Sequence, residues 1–131
     1  MADHQERFKL ARDNFAKAVT RLQEALAAYE DEFVRDSIIR RFTFAYELGW
    51  KAMFYWLRDQ DERVPEAGQP VLQAAFKTKL IEDAELWEQI KDFRSETSHN
   101  YDSEKAKLVA TFVRDHATSG LEKLRDKLLS L

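Results

Sequence analysis

Residues 38–57 read IIRRFTFAYELGWKAMFYWL, and this stretch determines the expected fold class. Its apolar residues recur every three or four positions, which is the period of an α-helix. The main apolar stripe consists of Ile38, Phe42, Ala45, Gly49, Met53 and Trp56 or Leu57. Further apolar residues lie outside that stripe, namely Phe44, Leu48, Trp50 and Tyr55. The helix is therefore expected to be buried on more than one face, at the centre of a bundle or at a subunit interface.

The same helical period extends on both sides of this stretch. The predicted central helix spans about Phe33 to Gln60, and a short acidic link separates it from an earlier helix that spans about Gln5 to Tyr29. The earlier helix carries a row of apolar residues seven positions apart, at Phe8, Phe15, Leu22 and Tyr29. Gly49, next to Trp50, indicates either a close approach of two helices or an isolated glycine that the helix tolerates.

Breakers and capping residues divide the second half of the chain. Pro65 and Pro70 fall in one short window, which predicts a loop and then a short helix with Pro70 in its first turn. Asp83 is expected to cap the next helix, and Asp102 or Ser103 the last one. The apolar stripe of the last helix is Leu108, Phe112, Leu121, Leu124 and Leu128. Because no stretch alternates long enough to form a strand, we predict an all-α, antiparallel up-and-down four-helix bundle with one extra short helix, as a single domain over residues 1–131.

The composition excludes several classes of protein. The 131 residues include 21 Lys and Arg against 24 Asp and Glu, and this net charge of −3 disfavours non-specific coating of nucleic acid but permits a small basic pocket. Cysteine is absent, which excludes disulfide scaffolds, thiolate zinc sites and cysteine nucleophiles. No group of His, Asp and Glu has metal-ligand spacing, so neither a metal nor a cofactor is expected. With no secretion signal and no run of about 20 apolar residues, we expect no membrane span and a cytoplasmic location.

One polar segment, residues 93–102 (FRSETSHNYD), groups Arg94, His99 and Tyr101. Arginine offers a planar fork of donors to phosphate, histidine transfers protons near neutral pH, and tyrosine stacks on a base or offers a hydroxyl. In a continuous helix Arg94 and Tyr101 share a face, but His99 points about 140° away from Arg94. The two converge only if the helix ends near Ser98 or if a second subunit completes the site. Spacing alone favours the alternative, a helix end whose His and Tyr satisfy backbone groups.

Four polar residues of the central helix are further candidates. Glu47 and Lys51 are four positions apart, a spacing typical of an ion pair along one helix. Arg40 and Arg41 either widen a basic groove or form the solvated edge of the apolar stripe. All four are candidate lining residues of a ligand groove.

Three blocks of this sequence together resemble one known family. Arg94, His99 and Tyr101 have the spacing of the signature of the HEPN superfamily. Residues 36–51, DSIIRRFTFAYELGWK, end in a Glu-Leu-x-Trp-Lys pattern, and residues 75–87 match in order and spacing. The chain therefore resembles the nucleotidyltransferase substrate-binding protein branch of HEPN, from about residue 8 to residue 128.

The resemblance implies a dimeric helical bundle and two functional pictures. Such proteins are usually encoded beside a minimal nucleotidyltransferase and form a complex with it. In one picture the protein is a metal-independent RNase toxin, and the transferase is its antitoxin, which adds nucleotide to the motif tyrosine. In the other picture the protein is a non-catalytic subunit that binds nucleotide or another substrate for the transferase.

The resemblance also assigns roles to residues. Arg94 and His99 are the expected catalytic pair, and Tyr101, Ser95 and Ser98 are expected to bind or be modified. Ser95 stands where many HEPN members have Asn or Asp. For an RNase, His99 moves the proton of the ribose 2′-OH or of the leaving oxygen, and Arg94 stabilises charge on the phosphate. The last alternative is a purely structural helical adaptor, in which core contacts fill the Arg94–His99 site and close it to solvent.

Overall fold

The computed structural model describes residues 4–97 and 102–131, and in these ranges every regular element is helical. The elements are α1 (His4–Ala27), α2 (Glu32–Asp59), α3 (Gly68–Lys77), α4 (Ala84–Glu96), α5 (Ser103–Phe112), a π-helical turn (Val113–Ala117) and α6 (Thr118–Leu129). The π turn joins α5 to α6 without a break, so this part of the chain has four long helical segments and the short α3. The predicted all-α bundle with one extra short helix is confirmed. No helix in the described ranges is long and apolar enough to cross a membrane.

The central contact of the bundle joins α1 to α2. Phe15 of α1 is fully buried, and its ring lies where a β-carbon on Gly49 of α2 would come within 3.0 Å of it. Nearer the turn between the helices, Arg41 donates a hydrogen bond to the carbonyl of Arg21. Residues later in α1 therefore contact residues earlier in α2, so the two helices are antiparallel. Of the two alternatives for Gly49, the close helix approach is confirmed.

The apolar stripe of α2 is in the core, as its period predicts. Ile38, Phe42, Ala45, Met53 and Leu57 are each fully buried. The other helices cover them with further buried residues, among them Leu22, Val71, Ile90, Val109, Leu121 and Leu128. On the far side of the bundle, α6 packs closely on α4, because a β-carbon at Gly120 would lie 2.9 Å from Leu86.

Side-chain caps begin three of the helices. The carboxylates of Asp31, Asp83 and Asp102 accept hydrogen bonds from backbone N–H groups three residues later, at 2.8, 3.0 and 2.9 Å. Each carboxylate satisfies one of the free donors of the first turn. The predicted caps Asp83 and Asp102 are confirmed, and Pro70 lies in the first turn of α3 as predicted.

Two helices end in a left-handed residue that is not glycine. Asp61 follows α2 with φ 61°, and Lys79 follows α3 with φ 64°. The next residue then bonds back across the helix end, from Glu62 N to Leu57 O at 2.9 Å and from Leu80 N to Ala75 O at 2.8 Å. These bonds form Schellman closures, which use carbonyls that would otherwise lack a partner.

The predicted extent of the first helix is wrong at its end. α1 stops at Ala27, so Tyr29 falls in the turn and is 92% exposed instead of completing the apolar row. An ion-pair network holds this turn. Arg114 donates to Glu30 Oε1 at 2.8 Å and to the carbonyl of Leu26 at 3.0 Å, and Arg35 lies 3.3 Å from Glu30. The hydrogen bond from Arg114 lowers the pKa of Glu30.

The predicted stripe of the last helix is also wrong at one position. Leu108 is 66% exposed, whereas Phe112, Leu121, Leu124 and Leu128 are buried. Leu108 and Phe112 both precede the π turn, and the residues of α5 that face the core are Ala106, Val109, Ala110 and Phe112. A spacing of four from Phe112 therefore reaches a residue at the edge of this face and not at its centre.

Truncation of Phe15 tests the α1–α2 contact. Phe15→Ala empties a fully buried site, and we expect a loss of about 3–5 kcal/mol in the free energy of unfolding. Leu10→Ala is the matched control, because Leu10 lies on the same helix and is 65% exposed, and its effect should stay within about 0.5 kcal/mol. Urea denaturation followed by circular dichroism measures both. Equal effects of the two substitutions would contradict this packing.

Candidate functional site

A groove runs between the outer faces of α1 and α2 and ends at the last turn of α4. Its volume is about 1010 Å³, at the upper end of the range for small-molecule pockets. The lining residues are Asn14, Lys17, Ala18 and Arg21 of α1; Asp36, Ile39, Arg40, Arg41, Thr43, Phe44, Glu47 and Leu48 of α2; and Arg94 and Thr97. The groove therefore contains four residues singled out in the sequence, namely Arg40, Arg41, Glu47 and Arg94.

Positive charge is concentrated along this groove. The described lining residues include five cationic side chains and two carboxylates, although the whole chain carries a net charge of −3. Such a stripe of cations attracts an anionic ligand more strongly than the net charge suggests. Phe44 adds an aromatic ring that is 61% exposed. The groove thus offers cations and one aromatic face to a ligand.

Arg94 lies at the α4 end of the groove, in the last turn of that helix. Its Nε is 2.7 Å from Glu47 Oε1, and both side chains are 31% exposed. The buried Nε–H is not directed at an oxygen, so this contact is an ion pair without a hydrogen bond. On the other side of the carboxylate, the indole N–H of Trp50 donates to Glu47 Oε2 at 3.0 Å. Glu47 therefore connects α2 to the arginine.

The end of α4 is held in place by polar and aromatic contacts. The Thr97 hydroxyl donates to the carbonyl of Arg94 at 2.6 Å and lies 3.1 Å from the hydroxyl of Thr43 on α2. The Phe93 ring stacks on the Phe112 ring of α5, with centroids 4.1 Å apart and planes inclined by 10°. These contacts fix the turn that carries Arg94 against both α2 and α5.

The predicted ion pair between Glu47 and Lys51 is wrong. Glu47 turns towards Arg94 and Trp50 instead, and the Lys51 ammonium lies 5.9 Å from the centroid of the Trp50 ring. Lys51 lies outside the groove lining. An arginine from a neighbouring helix offers the carboxylate a partly buried partner, which is stronger than an exposed pair along one helix.

Arg40 and Arg41 have different environments although they are neighbours in sequence. Arg41 Nη1 donates to the carbonyl of Arg21 at 2.6 Å and lies 3.8 Å from Glu24, so Arg41 ties α2 to α1. Arg40 is exposed on the groove wall, and no contact with another described side chain occupies it. Of the two, Arg40 is the one available to a ligand.

Tyr46 is buried next to the site, with 3% of its surface exposed. Burial, followed by the charge of Glu47, raises the pKa of Tyr46 to about 12. A phenol with such a pKa stays protonated at neutral pH. Tyr46 is thus a donor or a packing residue here and not a proton acceptor.

His99, Tyr101 and Ser98 lie outside the described residues, so their predicted roles stay predictions. Ser95 is described, on the last turn of α4 next to Arg94. The helix ends at Glu96, with Thr97 as its C-cap. A helix end near Ser98 is one of the two predicted ways for Arg94 and His99 to converge, the other being a second subunit, and α4 ends at Glu96.

Several groove residues were missed by the sequence analysis. Lys17 and Arg21 are one helical turn apart on α1, but nothing in their spacing distinguishes them from solvated lysines and arginines. Thr43 and Thr97 meet across 54 residues, a contact that no local pattern reveals. Within the described ranges, no cluster of three His, Cys, Asp or Glu side chains is arranged to hold a metal ion.

Known proteins are similar to this chain in sequence and in fold. Probable ribonuclease HepT of Haemophilus influenzae is 31% identical over an alignment of 109 residues that covers 75% of this chain and 75% of that protein. The crystal structure of a protein from Thermus thermophilus aligns at 26% identity with a TM-score of 0.73, over 88% of this chain and 96% of that one. The Shewanella oneidensis HEPN toxin, tri-AMPylated and in complex with MNT antitoxin, aligns over 100% of both chains with a TM-score of 0.76. At 16% identity, this last likeness shows the fold alone.

The family model described as "Nucleotidyltransferase substrate binding protein like" matches residues 10–130. That range contains α2, the groove and the whole of the segment from Arg94 to Tyr101. The resemblance inferred from the three sequence blocks is confirmed. The chain belongs to the nucleotidyltransferase substrate binding protein like family and is a HEPN-type helical protein.

Proposed function

We propose that this chain is the RNA-cleaving toxin of a two-component system whose second member is a minimal nucleotidyltransferase. The observation that carries the proposal is the position of Arg94, fixed at the end of a groove lined by cations in an acidic protein. A relative that is 31% identical is named probable ribonuclease HepT, which supports the same activity. A non-catalytic nucleotide-binding subunit would use the same groove, and the first prediction below separates the two.

The chemistry requires a phosphate ligand and a proton carrier. Arg94 binds the scissile phosphate and stabilises the charge that develops on its oxygens. His99 takes the proton of the ribose 2′-OH as that oxygen attacks the phosphorus, or gives a proton to the oxygen that leaves. Both steps proceed without a metal ion.

The groove holds the RNA strand on one side of that phosphate. Lys17, Arg21 and Arg40 neutralise backbone phosphates. RNA is recognised most readily where its bases are unpaired, so the substrate is a single-stranded loop or end.

A homodimer completes the site. α2 leaves Phe44 exposed beside the groove, next to the half-buried Leu48, although eleven residues of the same helix are buried within the chain. Association along this face brings two motif segments near each other, and two histidines then act as separate acid and base. The helical adaptor is disfavoured because Arg94 borders an open groove and is 31% exposed.

The nucleotidyltransferase is the inhibitory partner. The Shewanella oneidensis toxin that shares this fold is tri-AMPylated in its complex with MNT antitoxin. By analogy, Tyr101 of this chain accepts nucleotide from its own partner. A bulky anion on Tyr101 would repel the RNA phosphate from Arg94 and His99.

Cleavage of RNA in the presence of a chelator tests the activity. We expect the purified protein to cut single-stranded RNA in EDTA, and His99→Ala to lower the rate by about 10²–10⁴-fold with RNA affinity largely unchanged. Arg94→Ala should weaken both RNA affinity and turnover. The control is Lys127→Ala on α6, away from the groove, which should behave like wild type. RNA binding without cleavage would favour the substrate-binding alternative, and activity restored by magnesium alone would contradict the mechanism.

The proposed dimer face predicts the effect of a polar residue at position 44. Wild-type protein should sediment at about twice the 15.4 kDa chain mass at micromolar concentration. Phe44→Ser should yield monomers with an unchanged helical spectrum, because Phe44 is 61% exposed in one chain. Phe76→Ser, at an exposed phenylalanine of α3, should leave the dimer intact. A wild-type monomer would refute the dimer, and a dimeric Phe44→Ser would refute this face.

Intact mass spectrometry tests the modification. Incubation with the neighbouring transferase and ATP should add nucleotide to wild-type protein and abolish RNA cleavage. Tyr101→Phe should keep its mass and its activity, and Tyr29→Phe, at a fully exposed tyrosine in the α1–α2 turn, should be modified like wild type. Equal labelling of Tyr101→Phe and wild type would place the acceptor elsewhere.

A further inference from the structure

We infer that Glu47 is a positioning residue for Arg94: its carboxylate holds the guanidinium at the end of the groove in the orientation that meets the scissile phosphate. The inference rests on the proposed RNA cleavage. It adds a residue that does not belong to the Arg–His–Tyr motif and that lies 47 positions before Arg94 in the chain. Glu47 acts through Arg94 and makes no contact with RNA itself.

The carboxylate is fixed from two sides. Oε2 accepts the indole N–H of Trp50 at 3.0 Å, and Oε1 lies 2.7 Å from Arg94 Nε. Trp50 is itself 9% exposed, so its ring cannot readily move. Glu47 is thus held on α2, the most extensively packed helix, and transmits that rigidity to a side chain of α4.

The position of the contact on the guanidinium is important. The Glu47 carboxylate lies 2.7 Å from Nε without a hydrogen bond, and no described residue bonds to the two terminal nitrogens of Arg94. Those nitrogens are the pair that binds two phosphate oxygens at once. A long arginine side chain loses rotamer freedom when it is fixed in this way, so less entropy remains to be lost when the transition state forms.

The negative charge of Glu47 has an opposing effect. A carboxylate beside Arg94 also repels RNA, so its removal should not weaken RNA binding and should even strengthen it slightly. The orientation of the Arg94 guanidinium affects the rate of the reaction step and not RNA binding. A misplacement of about 1 Å costs up to about 100-fold in rate. Removal of the Glu47 charge should therefore raise RNA affinity slightly and lower turnover.

Glu47→Gln is the variant that distinguishes positioning from binding. It keeps the size of the side chain and an oxygen that can accept from Trp50, but removes the charge that holds Arg94. We expect kcat for RNA cleavage to fall about 10- to 100-fold while KM is unchanged or lower. Glu24→Gln is the matched control. Glu24 also pairs with an arginine between α1 and α2, since its carboxylate lies 3.8 Å from Arg41, but it is not a partner of Arg94. Its cleavage constants should equal those of wild type.

A second variant removes the other contact that holds the Glu47 carboxylate. Trp50→Phe removes the N–H that bonds to Glu47 and keeps an aromatic ring in the core. It should lower kcat in the same direction as Glu47→Gln but by less, and it remains informative if Glu47→Gln does not fold. Thermal unfolding by circular dichroism identifies any variant whose loss of activity is only a loss of structure.

The double variant Glu47→Gln with Arg94→Ala completes the test. If Glu47 acts through Arg94, the double variant should be no slower than Arg94→Ala alone. If the rate losses of the two single variants multiply in the double variant, the inference is overturned. It is also overturned if Glu47→Gln has the wild-type kcat while Arg94→Ala is inactive. If Arg94→Ala itself cleaves like wild type, the proposed function fails first, which is a distinct result.

Discussion

The contact between Phe15 and Gly49 is the constraint on which the rest of the structure depends. A β-carbon at position 49 would lie 3.0 Å from the Phe15 ring, so glycine allows α1 and α2 to approach closely at this point. Burial of a phenylalanine contributes about 1.5–3 kcal/mol, and here one ring does so at the middle of the longest helix pair. The spacing between α1 and α2 also defines the width of the groove on their outer faces.

α2 links this core to the candidate site because different faces of one helix serve the two. Gly49 and Met53 face the interior, while Phe44 and Glu47 line the groove. The additional apolar surface that the sequence indicated on this helix is therefore partly core and partly exposed. The groove residues on α2 are therefore carried by a helix whose other faces are buried in the core.

The helices were predictable from the sequence because their signals are local. Apolar period, aspartate caps and the proline window identify α2, α4, α5 and the loop before α3 without any tertiary information. The pairing of Glu47 was not predictable in this way. Lys51 is the nearest partner in the sequence, but Arg94 is the nearest one in the fold. Helical spacing cannot rank a partner on the same helix against one that packing brings from another.

The π turn at Val113–Ala117 has a consequence for the variation that this fold tolerates. Such a turn contains one residue more than an α-helical segment of the same rise, so it is equivalent to a single-residue insertion in a continuous helix. Removing one residue there would rotate α5 by about 100° relative to α6. α5 begins just after the segment that contains His99 and Tyr101. The number of residues between α5 and α6 is therefore tied to the stacking of Phe112 on Phe93, and through Phe93 to the turn of α4 that carries Arg94.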